Sequence, residues 1–119
     1  AVNLQVTHTL VDAAGKTVTK KTTKLNVPKH GKQTINNALE VRDPELWNLD
    51  NPTLYTLQTT VAQDGKIVDQ SSVRTGFRTY TFDPNKGFAL NGTWMKVKGV
   101  CLHHDAGALG AAVYPEVWR

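Results

Sequence analysis

The chain has one cysteine in 119 residues, so it forms no internal disulfide, and cysteine usage leaves the redox compartment open. It has no apolar run near the roughly 20 residues that a membrane-spanning helix needs, and no secretory pattern opens it. Neither a membrane nor a leader is therefore indicated. The chain begins without methionine, so a missing leader says little about location, and an upstream piece is expected to have been removed. Between Asp12 and Glu40 it lacks acids, while Lys16, Lys20, Lys21, Lys24, Lys29 and Lys32 gather there. Those lysines lack the interleaved aromatics and arginines of a nucleic-acid groove, so a solvated strand pair is the expectation and nucleic acid is not a partner. Helical periodicity is also missing before residue 105.

What is present is alternation with period 2. In V-N-L-Q-V-T-H-T-L, Val2, Leu4, Val6, His8 and Leu10 share one face, with His8 expected to find a hydrogen-bond partner there. A-A-G-K turns the chain into a threonine- and lysine-rich strand over about 17–27, whose poor alternation suggests an edge or a bulge. A third strand is expected over about 32–41, with Ile35, Asn37, Leu39 and Val41 on one face. The loop R-D-P-E-L-W-N-L-D-N-P should let Trp47 plug one end of the core. L-Y-T-L-Q-T-T-V should turn Tyr55, Leu57 and Val61 inward, and Asp64-Gly65 predicts a hairpin to a strand through Val73. G-F-R-T-Y-T-F, 76–82, reads as a further strand. Six or so short strands argue for an all-β antiparallel sandwich.

After Phe82 the pattern changes. D-P-N-K-G is a turn, and Asn91-Gly92 predicts a tight hairpin; the same residues satisfy a glycosylation sequon, but the turn explains both. M-K-V-K-G-V-C-L-H should be a strand placing Cys101 and His103 on one face. Pro115-Glu116 resembles a helix first turn, with only three residues after it, which suggests an excised fragment.

Three stretches together resemble glycoside hydrolase family 2, the β-galactosidases and their β-glucuronidase and β-mannosidase relatives. W-N-L-D-N-P-T-L-Y-T-L, 47–57, is similar to its Trp-x-x-x-x-Pro-x-Leu-Tyr-x-Leu motif; G-F-R-T-Y-T-F resembles its Gly-Phe-Arg strand; and G-F-A-L-N-G-T-W-M-K-V-K-G-V-C-L-H-H-D resembles its hairpin and first barrel strand. The resemblance implies an immunoglobulin-like β-sandwich over 1–82, then over 83–119 a hairpin, the first strand of a truncated (β/α)8 barrel and the start of the loop and helix beyond. It implies a retaining glycosidase as parent, a β-galactosidase in the first instance, and no cofactor. Both catalytic glutamates would lie on later barrel strands, so no catalytic residue is expected here and the chain alone should not hydrolyse glycosides. His103 would line the sugar subsite, with Asp105 as a second substrate contact, and Cys101 would fill the barrel interior. The implied partners are the remaining domains of the parent, with carbohydrate bound only in the full-length enzyme and an unpaired strand edge that invites pairing between copies.

Two other readings stay open. Trp47, Trp94 and Tyr55 are candidates for stacking on sugars in a carbohydrate-binding module. Cys101, His103 and Asp105 give three ligands on one strand face, although a closed zinc site wants four.

Overall fold

The computed structural model describes residues 1–101, 107–112 and 114–116. The first alternating stretch forms β1 (Val2–Val11), which pairs antiparallel with β2 (Thr17–Val27). The turn between them is built by Asp12, whose Oδ1 accepts from Ala14 N (3.0 Å) and Lys16 N (2.8 Å). Gly15 follows at φ 84°, which only glycine adopts cheaply. β3 (Tyr55–Gln63) pairs with the other edge of β1, and β4 (Lys66–Thr75) pairs with β3. Their hairpin turns at Asp64 (φ 50°) and Gly65 (φ 79°), the two left-handed residues expected of Asp-Gly.

The resulting sheet has the order β2-β1-β3-β4. Its register puts Val6 beside Val61, Leu10 beside Leu57, and Leu57 beside Val73, so these residues share one face. The other face carries Asn3, Gln5, Thr7 and Thr9, flanked by Lys20, Thr22 and Lys24. That explains the poor alternation of β2: it is an edge strand, and a register shift falls at Leu10/Val11 of its partner. On the apolar face, the His8 ring Nδ1 lies 3.0 Å from Thr59 Oγ1, the partner that the sequence could not name.

The strand expected over 32–41 is not formed. Its alternation is real, since Ile35, Asn37, Leu39 and Val41 are half-buried and the residues between them exposed. The segment lies against β2 through side chains. Thr23 Oγ1 and Asn37 are 3.0–3.2 Å apart, and Lys21 Nζ reaches Ala38 O at 3.4 Å. No backbone ladder joins it to any strand among the described residues, so it is extended chain without a neighbour.

At the start of β3, Tyr55 is 6% exposed and its hydroxyl accepts from Glu45 N at 2.9 Å. A tyrosine that opens a strand and bonds back to upstream backbone is the corner that precedes the penultimate strand of immunoglobulin-type sandwiches, strand F. With β3 as F, its hairpin partner β4 is G, β1 is C and β2 is C′, and the observed order is C′-C-F-G. The extended segment 33–41 then takes the place of strand E.

Beyond β4 the chain makes β5 (Tyr80–Asp83), β6 (Gly87–Leu90) and β7 (Thr93–Met95), a second antiparallel sheet in that order. The strand expected at 76–82 thus begins only at Tyr80; Phe77 makes a single parallel bridge to Leu46 instead. Asn91 (φ 49°) and Gly92 (φ 81°) form the expected hairpin turn. Of the barrel strand expected over 95–103, residues 102 and 103 lie outside the described residues; β7 ends at Met95, and 96–101 carry no strand pairing among the described residues. A barrel strand is held by parallel neighbours on both edges. Gly107–Leu109 is a 3-10 turn, and Pro115 and Glu116 lie in a turn.

The fold is therefore all-β and antiparallel, with a small core of Val6, Leu10, Val11, Tyr55, Ala89 and Leu90. No strand of the four-stranded sheet pairs with a strand of the other among the described residues. The radius of gyration is 20.9 Å, against about 13–14 Å for a compact domain of this length.

Candidate functional site

The residues that draw most contacts to one place are those of the tryptophan loop, the Gly-Phe-Arg stretch and the Asn-Gly hairpin. Trp47 N donates to Phe77 O at 2.8 Å, and a bridge between Trp47 and Pro52 closes the loop on itself. Gly76 allows this approach, because a Cβ there would sit 3.2 Å from Trp47 Cβ and 3.3 Å from both Leu54 Cδ2 and Thr53 O. The Arg78 guanidinium lies 5.4 Å from the Trp47 ring centre.

Asn91 clips the hairpin to this loop. Its Oδ1 accepts from Thr79 N (2.9 Å), while its Nδ2 donates to Trp47 O (2.9 Å) and Asn48 Oδ1 (2.7 Å). Its own backbone N–H donates to Thr79 O at 2.8 Å. Both amide hydrogens are engaged, and the hairpin that Asn-Gly predicts is formed. The turn signal located Asn91 but gave no hint of the clip, whose partners lie 43 and 44 residues upstream.

Beside the clip runs a groove of about 580 Å³, walled by Trp47, Phe88, Leu90 and Met95 and rimmed by Lys96 and Lys98. Among the described residues no carboxylate lines it. It offers apolar area and positive charge but no acid/base pair, so it suits the burial of another polypeptide surface rather than bond cleavage.

His103 and Asp105, the substrate contacts expected from sequence, lie outside the described residues, as does His104. Cys101 is exposed and in no strand here; the inward place expected of it belongs to the barrel of the parent enzyme. The described residues hold no cluster of three metal-ligating side chains, and two of the three ligands suggested by sequence fall outside them. Of the three aromatics weighed for sugar stacking, Tyr55 is buried, and Trp47 is half-buried with Arg78 near its ring. Trp94 is 44% exposed, but Lys86 Nζ sits 5.7 Å from its ring centre.

The family described as "Glycosyl hydrolases family 2" matches residues 1–78. The β-galactosidase BoGH2A of Bacteroides ovatus is 42% identical over 93% of this chain, and a β-glucuronidase of Bacteroides fragilis is 38% identical over 66% of it. The chain covers 13% of the first relative and 11% of the second, a small part of either. Among solved structures, a glycosyl hydrolase family 2 member from Bacteroides cellulosilyticus superposes with a TM-score of 0.82 at 36% identity. A Bacteroides uniformis β-glucuronidase gives 0.85 at 34% identity. Each match takes in 97% of this chain, and 16% and 14% of the respective structures. Sequence motifs, tyrosine corner, family match and superposition converge: the chain belongs to glycosyl hydrolase family 2.

Proposed function

We propose that this chain is a non-catalytic structural part of a retaining family 2 glycosidase that hydrolyses terminal β-galactosides. The observation that supports the structural role is the groove beside Asn91, which is apolar, basic at its rim and lined by no carboxylate among the described residues; such a surface suits burial against protein. Retaining hydrolysis needs two carboxyl groups about 5 Å apart, one as nucleophile and one as acid/base, and the resemblance places both on barrel strands beyond this stretch. The choice of β-galactoside follows the relative that is 42% identical over nearly the whole chain; β-glucuronidases at 38–40% identity supply the alternative substrate.

In this reading His103 hydrogen-bonds a sugar hydroxyl or the charge that develops in the transition state, with Asp105 beside it. The parent enzyme should release nitrophenol from an aryl β-galactoside faster than from the β-glucuronide, and the isolated chain should release none. Turnover by the isolated chain sinks the structural role; preference for the glucuronide sinks the substrate. His103→Ala in the parent should lower kcat/KM by about 100-fold, in the range seen when one transition-state donor is lost. An unchanged value would remove His103 from the site.

A further inference from the structure

The side of the four-stranded sheet opposite its apolar face is polar. There Lys20, Thr22, Lys24 and Asn26 of β2 lie beside Thr9, Thr7, Gln5 and Asn3 of β1, and the rows run on to Gln58, Thr60 and Ala62 of β3. None of these positions holds a carboxylate or an aromatic. Ala62 differs from the rest in size: it stands opposite Gln5 with a single methyl where its neighbours reach outward. The result is a hollow of about 490 Å³, walled by Asn3, Gln5, Lys24 and Asn26 and closed at one end by the Asp64-Gly65 turn.

The groups around the hollow set its chemistry. Asn26 Nδ2 donates to Asn3 Oδ1 at 2.7 Å, which orients both amides and leaves Asn3 Nδ2 to donate and Asn26 Oδ1 to accept. The side chains of Gln5, Lys24 and Asp64 have no bonding partner among the described residues. Lys24 supplies a cation, while ionised Asp64 only accepts, so a ligand beside it must bring hydrogen-bond donors. A phosphodiester chain brings anions without those donors, and Asp64 repels it. An uncharged glycan leaves Lys24 unanswered. A sugar acid satisfies both ends, with a carboxylate for Lys24 and hydroxyls that donate to Asp64 and exchange hydrogen bonds with the amides. Lys20, four residues away on the same face of β2 and so about 13 Å along the strand, is placed for a further carboxylate of the same polymer. Nucleic acid is also disfavoured because bases would find no ring to stack on.

We propose that the hollow over Ala62 is a binding site for a polysaccharide that bears uronic acids, with Lys24 and Lys20 holding carboxylates and Asp64, Gln5, Asn3 and Asn26 holding hydroxyls. The contacts are polar and lie on a face already formed in this chain, so binding needs neither the stacking aromatics weighed from sequence nor the rest of the parent. The inference does not depend on which glycoside the parent cleaves.

The probe is polygalacturonate, read by biolayer interferometry on the immobilised full chain, with dextran as the uncharged polymer and single-stranded DNA as the phosphodiester one. Polygalacturonate should bind, dextran should not, and DNA should bind at least about tenfold more weakly. Lys24→Ala should weaken polygalacturonate binding by about tenfold or more, the loss of one charge-assisted contact. Lys98→Ala removes the same charge away from the hollow and should leave binding unchanged. Ala62→Gln keeps every charge but fills the hollow, and it should abolish binding; if either the Lys24 or the Ala62 variant fails to fold, the other decides. The proposal is overturned by no binding of polygalacturonate, by dextran or DNA binding as well as it does, by equal losses in Lys24→Ala and Lys98→Ala, or by indifference to Ala62→Gln.

Discussion

At the residue scale, two side chains fix how the loops meet the sheets. Asn91 spends its whole amide on the clip to Thr79, Trp47 and Asn48 while its backbone holds φ 49°. Asn91→Ala loses three hydrogen bonds and adds left-handed strain, so urea denaturation should show a loss of about 2–4 kcal/mol. Asn91→Gly relieves the strain and should recover only part of it. Tyr55→Phe keeps the ring packed edge-on against Phe77 at 5.1 Å but leaves Glu45 N without its acceptor. It should cost about 1 kcal/mol, with faster exchange of the Glu45 amide as the local readout. An unaltered Glu45 amide would mean that the corner does not tie the loop.

At the element scale, the tryptophan loop packs against the strand exit because Gly76 has no side chain. Gly76→Ala places a methyl within 3.2–3.3 Å of Trp47, Leu54 and Thr53, against a backbone oxygen that cannot rotate away. A cost of about 1–3 kcal/mol is expected, read as a lower thermal midpoint together with a changed Trp47 fluorescence maximum. Elements defined by local chemistry were legible in the sequence. The alternation of Val2 to Leu10, the Asp64-Gly65 turn and the Asn91-Gly92 turn each act within a few residues. Pairing was less legible, because it depends on what lies alongside. Ile35, Asn37, Leu39 and Val41 alternate as a strand should, but their segment has no neighbour to bond; Met95 to Cys101 would need barrel strands on either side. The Asn91 clip and the Tyr55 corner were invisible for a related reason: a polar side chain advertises that it wants a partner, not which distant backbone atom will serve. The expected substrate contacts His103 and Asp105 rest on family resemblance, since one strand's spacing cannot separate a sugar subsite from a metal site.

At the scale of the whole molecule, the two sheets are joined by no strand pairing among the described residues, and the chain is far from spherical. Small-angle scattering of the isolated chain should return a radius of gyration near 20.9 Å rather than the roughly 13–14 Å of a closed domain. A value near the compact limit would mean that the chain folds over on itself. The same openness accounts for a small core in which no side chain is fully buried among the described residues.

The order of strands in the larger sheet also sets a timetable. β1–β2 and β3–β4 are hairpins whose turns bring near neighbours together, and such units form in about 1–10 μs. The central seam, β1 on β3, joins residues such as His8 and Thr59 that are 51 positions apart. Closing that loop costs entropy before the seam returns any stabilisation. During synthesis, one edge of β1 therefore stays without its partner until β3 has left the exit tunnel.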